Sequence, residues 1–116
     1  MLLVVGGAYS GKRTYVRSLG YADPDMGLDP YGDEPVLLQV EEWLRDHEPT
    51  PDDLAAMLSK EVVVTSEVGA GVVPVDADER VWRERVGRFQ ATLAGQAREV
   101  VRLVCGIATH IKGGNG

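Results

Sequence analysis

A glycine-rich loop near the start of the chain carries the clearest chemical signal. Residues 6–12, Gly-Gly-Ala-Tyr-Ser-Gly-Lys, fit the spacing G-x-x-x-x-G-K of a phosphate-binding loop and directly follow an apolar run over 2–5. Glycines in such a loop let successive backbone N–H groups turn toward a phosphate, and the following helix points its positive end at the same group. Lys12 is spaced to reach the outer phosphates of a nucleotide. The segment therefore predicts nucleotide or phosphate binding; the alternative is a glycine-rich turn without a ligand.

The loop departs from the usual pattern at its last position. The residue after Lys12 is normally Ser or Thr, whose hydroxyl holds Mg²⁺, but this chain has Arg13 there. Thr14 comes one residue late and, at about 100° per helical residue, is expected to point away from the site. The loop consequently favours phosphate binding over phosphoryl transfer. The residues of this segment predicted to contact a nucleotide are Gly6, Gly7, Ala8, Tyr9, Ser10, Gly11, Lys12, Arg13 and Thr14.

Composition and charge limit the possible classes of protein. The 116 residues predict a single domain over 1–112 with a flexible tail over 113–116. The net charge of −6 disfavours binding to nucleic acid or to an acidic membrane. No run approaches the roughly 18 apolar residues of a transmembrane helix, and no basic region precedes the first apolar run. Cys105 is the only cysteine, so an intrachain disulfide is excluded and a cytoplasmic location is expected.

Hydrophobic periodicity predicts strands that alternate with helices. Strands are predicted at residues 2–5, 61–65 and 99–105, and helices at 11–19, 51–59 and 76–97. Thr50 is expected to cap the second helix, and Asp76 or Asp78 the third. Residues 36–45 leave two alternatives open, a strand over 36–40 or the start of a helix. Residues 20–35 hold three prolines, three glycines and five acids and predict an exposed acidic loop. The alternation indicates an α/β fold, a parallel sheet with crossover helices, whose ligands bind at the carboxyl ends of the strands.

The predicted core includes one face of the last helix. Its apolar members recur at helical spacing: Trp82, Val86, Phe89, Leu93 and Ala97. Cys105 is expected to be a buried strand residue.

A second loop, residues 65–74 (Thr-Ser-Glu-Val-Gly-Ala-Gly-Val-Val-Pro), follows the strand at 61–65. Its acid, Glu67, comes just beyond a buried strand, where a carboxylate can coordinate Mg²⁺ or accept a proton. The alternative is an exposed loop acid that caps a backbone N–H. Because both loops follow strands of one parallel sheet, we expect them to face one cleft.

These segments resemble the bifunctional adenosylcobinamide kinase/adenosylcobinamide-phosphate guanylyltransferase family of cobalamin biosynthesis. Residues 65–74 resemble its signature T-[NS]-E-V-G-x-G-[IV]-V-P, and residues 6–12 resemble its loop G-G-A-R-S-G-K. The stretch 80–88 is similar to the family's R-x-F-R-D…G-R helix, and residues 99–112 are similar to its closing strand and ending. The resemblance covers residues 1–18 and 61–112.

The resemblance implies an α/β P-loop NTPase fold with a RecA-like parallel sheet, here in a truncated form. It implies GTP or ATP with Mg²⁺ as cofactors and adenosylcobinamide as the phosphoryl acceptor. By the same match, Lys12 and Glu67 would be catalytic, with Glu67 serving the metal or the reacting hydroxyl. Arg83 and Arg88 would neutralise phosphate charge, whereas a solvated helix face with ion pairs is the plainer explanation for Arg80 and Arg85.

The chain also departs from the family pattern. Family members carry a guanylylated histidine on a basic helix, whereas residues 19–35 are acidic and contain no histidine. His47 is expected on the surface, and His110 lies outside any match to the acceptor. Gln39 stands where the family has a metal-supporting Asp. We therefore expect a kinase-like enzyme that has lost guanylyltransfer.

A second hypothesis belongs to a different class of protein. Arg13 and Gln39 together favour a catalytically inactive paralogue that binds a nucleotide or forms a homo-oligomer. Loss of a central segment leaves sheet edges open, which favours self-association. A phosphate-binding module for an unrelated substrate is a third alternative.

Overall fold

The computed structural model describes residues 1–8, 10–68 and 76–113. Its strands are β1 (Leu2–Gly6), β2 (Met26–Gly27), β3 (Val36–Leu37), β4 (Val62–Ser66), β5 (Glu99–Val104) and β6 (Ile107–Lys112). Its helices are α1 (Lys12–Ser18), α2 (Val40–Asp46), α3 (Pro51–Leu58) and α4 (Ala77–Gln96), with one 3₁₀ turn at Asp23–Asp25. No helix of these described ranges is long and apolar enough to cross a membrane.

The strands form one sheet in the order β2-β3-β4-β1-β5-β6. The first five strands are parallel, and β6 runs antiparallel to β5. Strand β1 lies in the interior, with Leu3 opposite Val63 of β4 and Val100 of β5. The α/β fold with crossover helices predicted from the sequence is thus confirmed. The loop after β1 leaves the sheet between the carboxyl ends of β4 and β5.

Helices cover both faces of the sheet. On one face, α4 packs against β1 and β4, and all five residues predicted to face the core are buried. On the other face, Val16 of α1 packs with Val4 and Leu103. The predicted helix starts are also confirmed, because Thr50 forms a capping box with Asp53, and Asp76 accepts a hydrogen bond from the backbone N–H of Glu79. These starts depend on local hydrogen bonds, which a sequence pattern captures well.

The structure decides one open alternative and corrects two predictions. For residues 36–45 both alternatives are realised in part, since two residues separate the short strand β3 from α2. The predicted loop 20–35 contains the edge strand β2, which pairs with β3. The strand at 99–105 is not the last one, because a tight turn returns the chain into β6.

Cys105 was expected to be buried and is instead exposed in that turn. It has a φ of 51° and Gly106 has a φ of 78°. Two successive residues with positive φ fit the two-residue hairpin turn that matches the twist of its strands. Residues 114–116 of the predicted tail lie outside the described residues.

A buried lysine donates hydrogen bonds to the acidic segment 20–35 that precedes β3. Lys60 is 8 % exposed, and its Nζ donates hydrogen bonds to the backbone oxygens of Gly32 (2.5 Å) and Glu34 (2.8 Å). A buried ammonium requires such partners, because losing its hydration is costly. The contact fixes the segment that leads into β3.

We expect Lys60→Met to destabilise the protein by roughly 1–3 kcal/mol, because two carbonyl groups lose a charged donor in a partly buried place. Urea unfolding followed by circular dichroism measures the free energy of unfolding. Lys112→Met is the matched control. Lys112 also donates to two carbonyl oxygens, those of Ala94 and Gly95, but is exposed, so its loss should cost less than about 1 kcal/mol. Equal costs would contradict the structural role given to Lys60.

Candidate functional site

Two glycines give the loop after β1 its shape. A Cβ on Gly6 would lie 2.5 Å from the Ser10 hydroxyl and 2.9 Å from the Leu103 backbone oxygen, so no larger residue fits without a shift. Gly11 has a φ of 89° and lies directly before α1, a backbone conformation that favours glycine. The spacing of the two glycines in the sequence thus corresponds to two separate steric needs. Tyr9, also predicted to contact a nucleotide, lies outside the described residues.

The hairpin turn between β5 and β6 supports this loop. The backbone N–H of Gly106 donates to the backbone oxygen of Ser10 at 3.0 Å. A Cβ on Gly11 would lie 3.5 Å from the Cα of Gly106, so the turn and the loop are in close contact. Sequence reasoning missed this support, because it depends on the return of the chain into β6.

Lys12 folds back onto its own loop. Its Nζ donates to the backbone oxygen of Gly7 at 2.6 Å. Burial lowers the pKa of Lys12, while the charges of Glu41 and Glu67 act in the opposite direction. The ammonium is therefore held beside the loop by a contact that a phosphate oxygen could replace.

A cleft of about 620 Å³ opens beside the loop. Its floor is formed by the carboxyl ends of β3 and β4, and one wall is the start of α1. The loop side contributes Ala8, Ser10, Gly11, Lys12, Arg13 and Thr14; the opposite side contributes Leu38, Gln39, Glu41, Glu42, Val64 and Ser66. Six residues predicted to contact a nucleotide therefore line one space. Thr14 was expected to point away from the site and instead lines it.

Arg13 and Ser10 differ in their surroundings within this cleft. Arg13 is exposed, so its cation is available to an anionic ligand. Ser10 is 7 % exposed, and its hydroxyl has no hydrogen-bond partner among the residues that the structure describes. A buried hydroxyl without a partner is costly, and a ligand atom reaching the loop would relieve that cost.

Glu67, predicted to act on a metal or a hydroxyl, forms an ion pair with Arg102. Its carboxylate accepts two hydrogen bonds from Arg102 of β5, from Nε to Oε1 at 2.8 Å and from Nη2 to Oε2 at 3.2 Å. It lines a separate groove of about 520 Å³ between α4, β5 and β6, and not the cleft beside the loop. The expectation that both loops face one cleft therefore holds for Ser66 but not for the Glu67 side chain. Residues 69–75 of the second loop lie outside the described residues.

A buried acid of the cleft was missed by sequence reasoning. Glu41 of α2 is 7 % exposed, lines the cleft, and accepts a hydrogen bond from the backbone N–H of Ser66 at 2.8 Å. Gln39, at the place of an expected Asp, is exposed and has a φ of 59° directly before α2. The two-residue spacing from Gln39 was a signal that could have pointed to Glu41, but its burial was not foreseeable.

The other predicted residues are not brought into the cleft. Arg83 pairs with Glu79 at 3.5 Å within α4, and Arg88 is exposed on the same helix. His47 stacks on Trp43 at 4.0 Å between ring centres, and His110 lies exposed on β6. Over the described ranges, no three His, Cys, Asp or Glu side chains cluster as a metal site would require. Any cation here would thus need ligands from a bound molecule.

Comparison of the sequence with known proteins identifies a family and two similar proteins. The family model described as "Cobinamide kinase / cobinamide phosphate guanyltransferase" matches residues 34–111, which is more than half of the chain. The bifunctional adenosylcobalamin biosynthesis proteins CobU of Escherichia coli (strain K12) and Salmonella typhimurium are each 44 % identical over 54 residues. Those residues make up 47 % of this chain and 30 % of each relative. The chain therefore matches under a third of the curated relatives' length, and the family match begins after the phosphate loop.

The two leading glycines of the loop provide a test of its shape. We expect Gly6→Ala to destabilise the protein by about 1–3 kcal/mol, because the new methyl group would overlap Ser10 and Leu103. Gly7→Ala is the matched control, since a Cβ there has no heavy atom within 4 Å. Thermal unfolding of both variants measures the difference. A loss of stability at Gly7 as large as that at Gly6 would argue against the described loop shape.

The environment of Lys12 predicts an altered titration. NMR titration of the Lys12 side chain, with ¹³C at Cε, should give a pKa below the ordinary value of 10.5, because burial penalises the ammonium form. Glu41→Gln should lower that pKa further, since the Glu41 charge favours protonated Lys12. Glu61→Gln, at the opposite end of β4, should leave it unchanged. A Lys12 pKa that rises in Glu41→Gln would contradict the arrangement.

Proposed function

This chain belongs to the cobinamide kinase / cobinamide phosphate guanyltransferase family, and we propose that it binds GTP or ATP in the cleft and transfers a phosphoryl group to adenosylcobinamide. The observation that carries the proposal is the loop itself. Its glycines satisfy two separate steric needs, and its lysine ends beside a backbone oxygen. Four of its residues, with Arg13 and Thr14 of α1, line a cleft at the carboxyl ends of the strands. Such a place in a parallel sheet is where phosphate ligands bind.

The nucleotide would exchange contacts with the loop. The Lys12 ammonium would leave the Gly7 oxygen for a phosphate oxygen, a charge-assisted bond of greater strength. The exposed cation of Arg13 would add a second positive charge at the cleft. The backbone N–H groups of the loop would complete the phosphate site.

In the transfer step, the acceptor hydroxyl of adenosylcobinamide would attack the terminal phosphorus of the nucleotide. The new P–O bond forms as the bond from that phosphorus to the nucleoside diphosphate breaks, and the hydroxyl proton passes to a base. Glu67 is the predicted base, but its carboxylate is held by Arg102 in a two-bond ion pair. That pair would have to open for Glu67 to take part.

We propose that guanylyltransfer is absent from this chain. Neither His47 nor His110 lines the cleft, and the acidic segment before β3 contains no histidine. The lack of nucleic-acid and membrane partners and a cytoplasmic location, both inferred from sequence, stay predictions.

The alternative is a nucleotide-binding or oligomerising relative without catalysis. Arg13 at the hydroxyl position, neutral Gln39, and the pairing of Glu67 with Arg102 favour it. The edge strand β6 is exposed throughout, with Ile107 at 70 % and Ile111 at 59 %, which supports self-association. Nucleotide binding without phosphoryl transfer, together with a sedimenting oligomer, would favour this alternative.

The first test is calorimetric titration of the chain with GTP and with ATP. We expect micromolar binding that Lys12→Ala weakens by about tenfold or more, because a charged hydrogen bond to phosphate contributes about 1.5–3 kcal/mol. Lys112→Ala, the same change at an exposed lysine outside the cleft, is the matched control and should bind as the parent chain does. Absence of binding to either nucleotide would overturn the proposal. Incubation with adenosylcobinamide and the preferred nucleotide then tests for adenosylcobinamide phosphate.

A further inference from the structure

Glu41 is distinguished by its burial. Among the described residues it is the only acidic side chain that is buried, at 7 % exposure. A carboxylate loses much hydration free energy on burial, so such groups are normally paired or coordinate a metal. Glu41 lines the cleft beside the phosphate loop, so we ask which group pairs with its buried charge.

Hydrogen bonds hold both the backbone and the side chain of Glu41. Gln39 has a left-handed conformation, with φ 59° and ψ 45°, and starts α2 so that Glu41 follows in its first turn. The Trp82 indole N–H donates to the backbone oxygen of Glu41 at 2.7 Å, and the Ser66 backbone N–H donates to its Oε1 at 2.8 Å. Its Oε2 accepts no hydrogen bond within the described part of the chain. One carboxylate oxygen is thus anchored while the other is open to a ligand.

The charges around this carboxylate change when a nucleotide binds. Lys12 is the cation that its charge stabilises in the free protein. A bound triphosphate would engage Lys12 and bring several negative charges toward Glu41. Two anionic groups in one partly buried space repel each other unless a cation lies between them. Magnesium commonly binds through one or two carboxylates, phosphate oxygens and waters, so a single carboxylate at this place is a sufficient protein ligand.

We propose that Glu41 supports the divalent cation that accompanies the bound nucleotide, as a ligand of the ion or of its water shell, in the role that Gln39 is unable to fill. The proposal rests on the proposed nucleotide site. It differs from a purely structural role, in which Glu41 only accepts the Ser66 hydrogen bond at the end of β4.

The test separates these two roles through the effect of Mg²⁺ on nucleotide affinity. Glu41→Gln keeps the length of the side chain and an oxygen that can accept from Ser66, but removes the charge. Titrations with the nucleotide that the parent chain prefers are run in Mg²⁺ and in EDTA. We expect Mg²⁺ to tighten binding to the parent chain, and Glu41→Gln to reduce this enhancement by about tenfold or more. Binding in EDTA should be equal or tighter in the variant, because one repulsive charge is gone.

Glu61→Gln is the matched control. Glu61 lies at the opposite end of the sheet, just before β4, and its carboxylate also accepts one hydrogen bond, from the Tyr21 hydroxyl at 2.8 Å. Its substitution should leave the Mg²⁺ enhancement unchanged. If Glu41→Gln unfolds, Glu41→Asp replaces it, since the shortened carboxylate would not reach both Ser66 and the cation and should reduce the enhancement by about threefold or more.

Each outcome decides the matter. A full Mg²⁺ enhancement in Glu41→Gln, or in Glu41→Asp where that variant replaces it, overturns the role of Glu41 and leaves nucleotide binding intact. Nucleotide binding by the parent chain that does not respond to Mg²⁺ overturns it as well. No nucleotide binding at all overturns the proposed function, and the role of Glu41 with it. Binding of Mn²⁺ to the nucleotide complex, followed by electron paramagnetic resonance, gives a readout independent of turnover and should weaken in Glu41→Gln.

Discussion

The interior position of strand β1 is the constraint on which the rest of the site depends. Because β1 pairs in parallel with β4 on one side and β5 on the other, its loop emerges between the carboxyl ends of both. The chain then has little room, and a Cβ on Gly6 would clash with both Ser10 of the loop and Leu103 of β5. The turn after β5 closes the arrangement through the bond from Gly106 to Ser10. The loop shape is therefore a property of the sheet as much as of its own glycines.

Two acids at the carboxyl edge of the sheet, Glu41 and Glu67, have different basic neighbours. On the side of β3 and β4, the Lys12 ammonium and the Glu41 carboxylate line one cleft, and the Glu41 charge offsets part of the cost of burying the ammonium. On the side of β5, Arg102 holds Glu67 in a partly exposed ion pair. An exposed pair of this kind contributes little free energy, but its two parallel bonds fix the direction of the carboxylate. The family resemblance thus points to Glu67, whereas the geometry of the cleft points to Glu41.

The charged residues of the cleft can be set beside the family to which the chain belongs. The chain belongs to the cobinamide kinase / cobinamide phosphate guanyltransferase family and has the mainly parallel α/β sheet of a P-loop protein. In the cleft, Arg13 places a cation directly after the loop lysine, and Gln39 is neutral. Glu41, in the first turn of α2, places a negative charge in the same cleft.

The sequence by itself determined the features that depend on neighbours along the chain. The phosphate loop, the caps at Thr50 and Asp76, the buried face of α4 and the alternation of strands and helices all arise from local hydrogen bonds or from periodicity. Only the tertiary structure decided the pairings between distant segments. Glu41 meets Ser66 across 25 residues, and Arg102 meets Glu67 across 35. The edge strand β6 and the exposed turn at Cys105 also escaped prediction, since their pairing partner lies on another element. Spacing along a chain specifies which side chains share a helix face or a strand face. It does not specify which carboxylate loses its water, because that depends on how separate elements pack together.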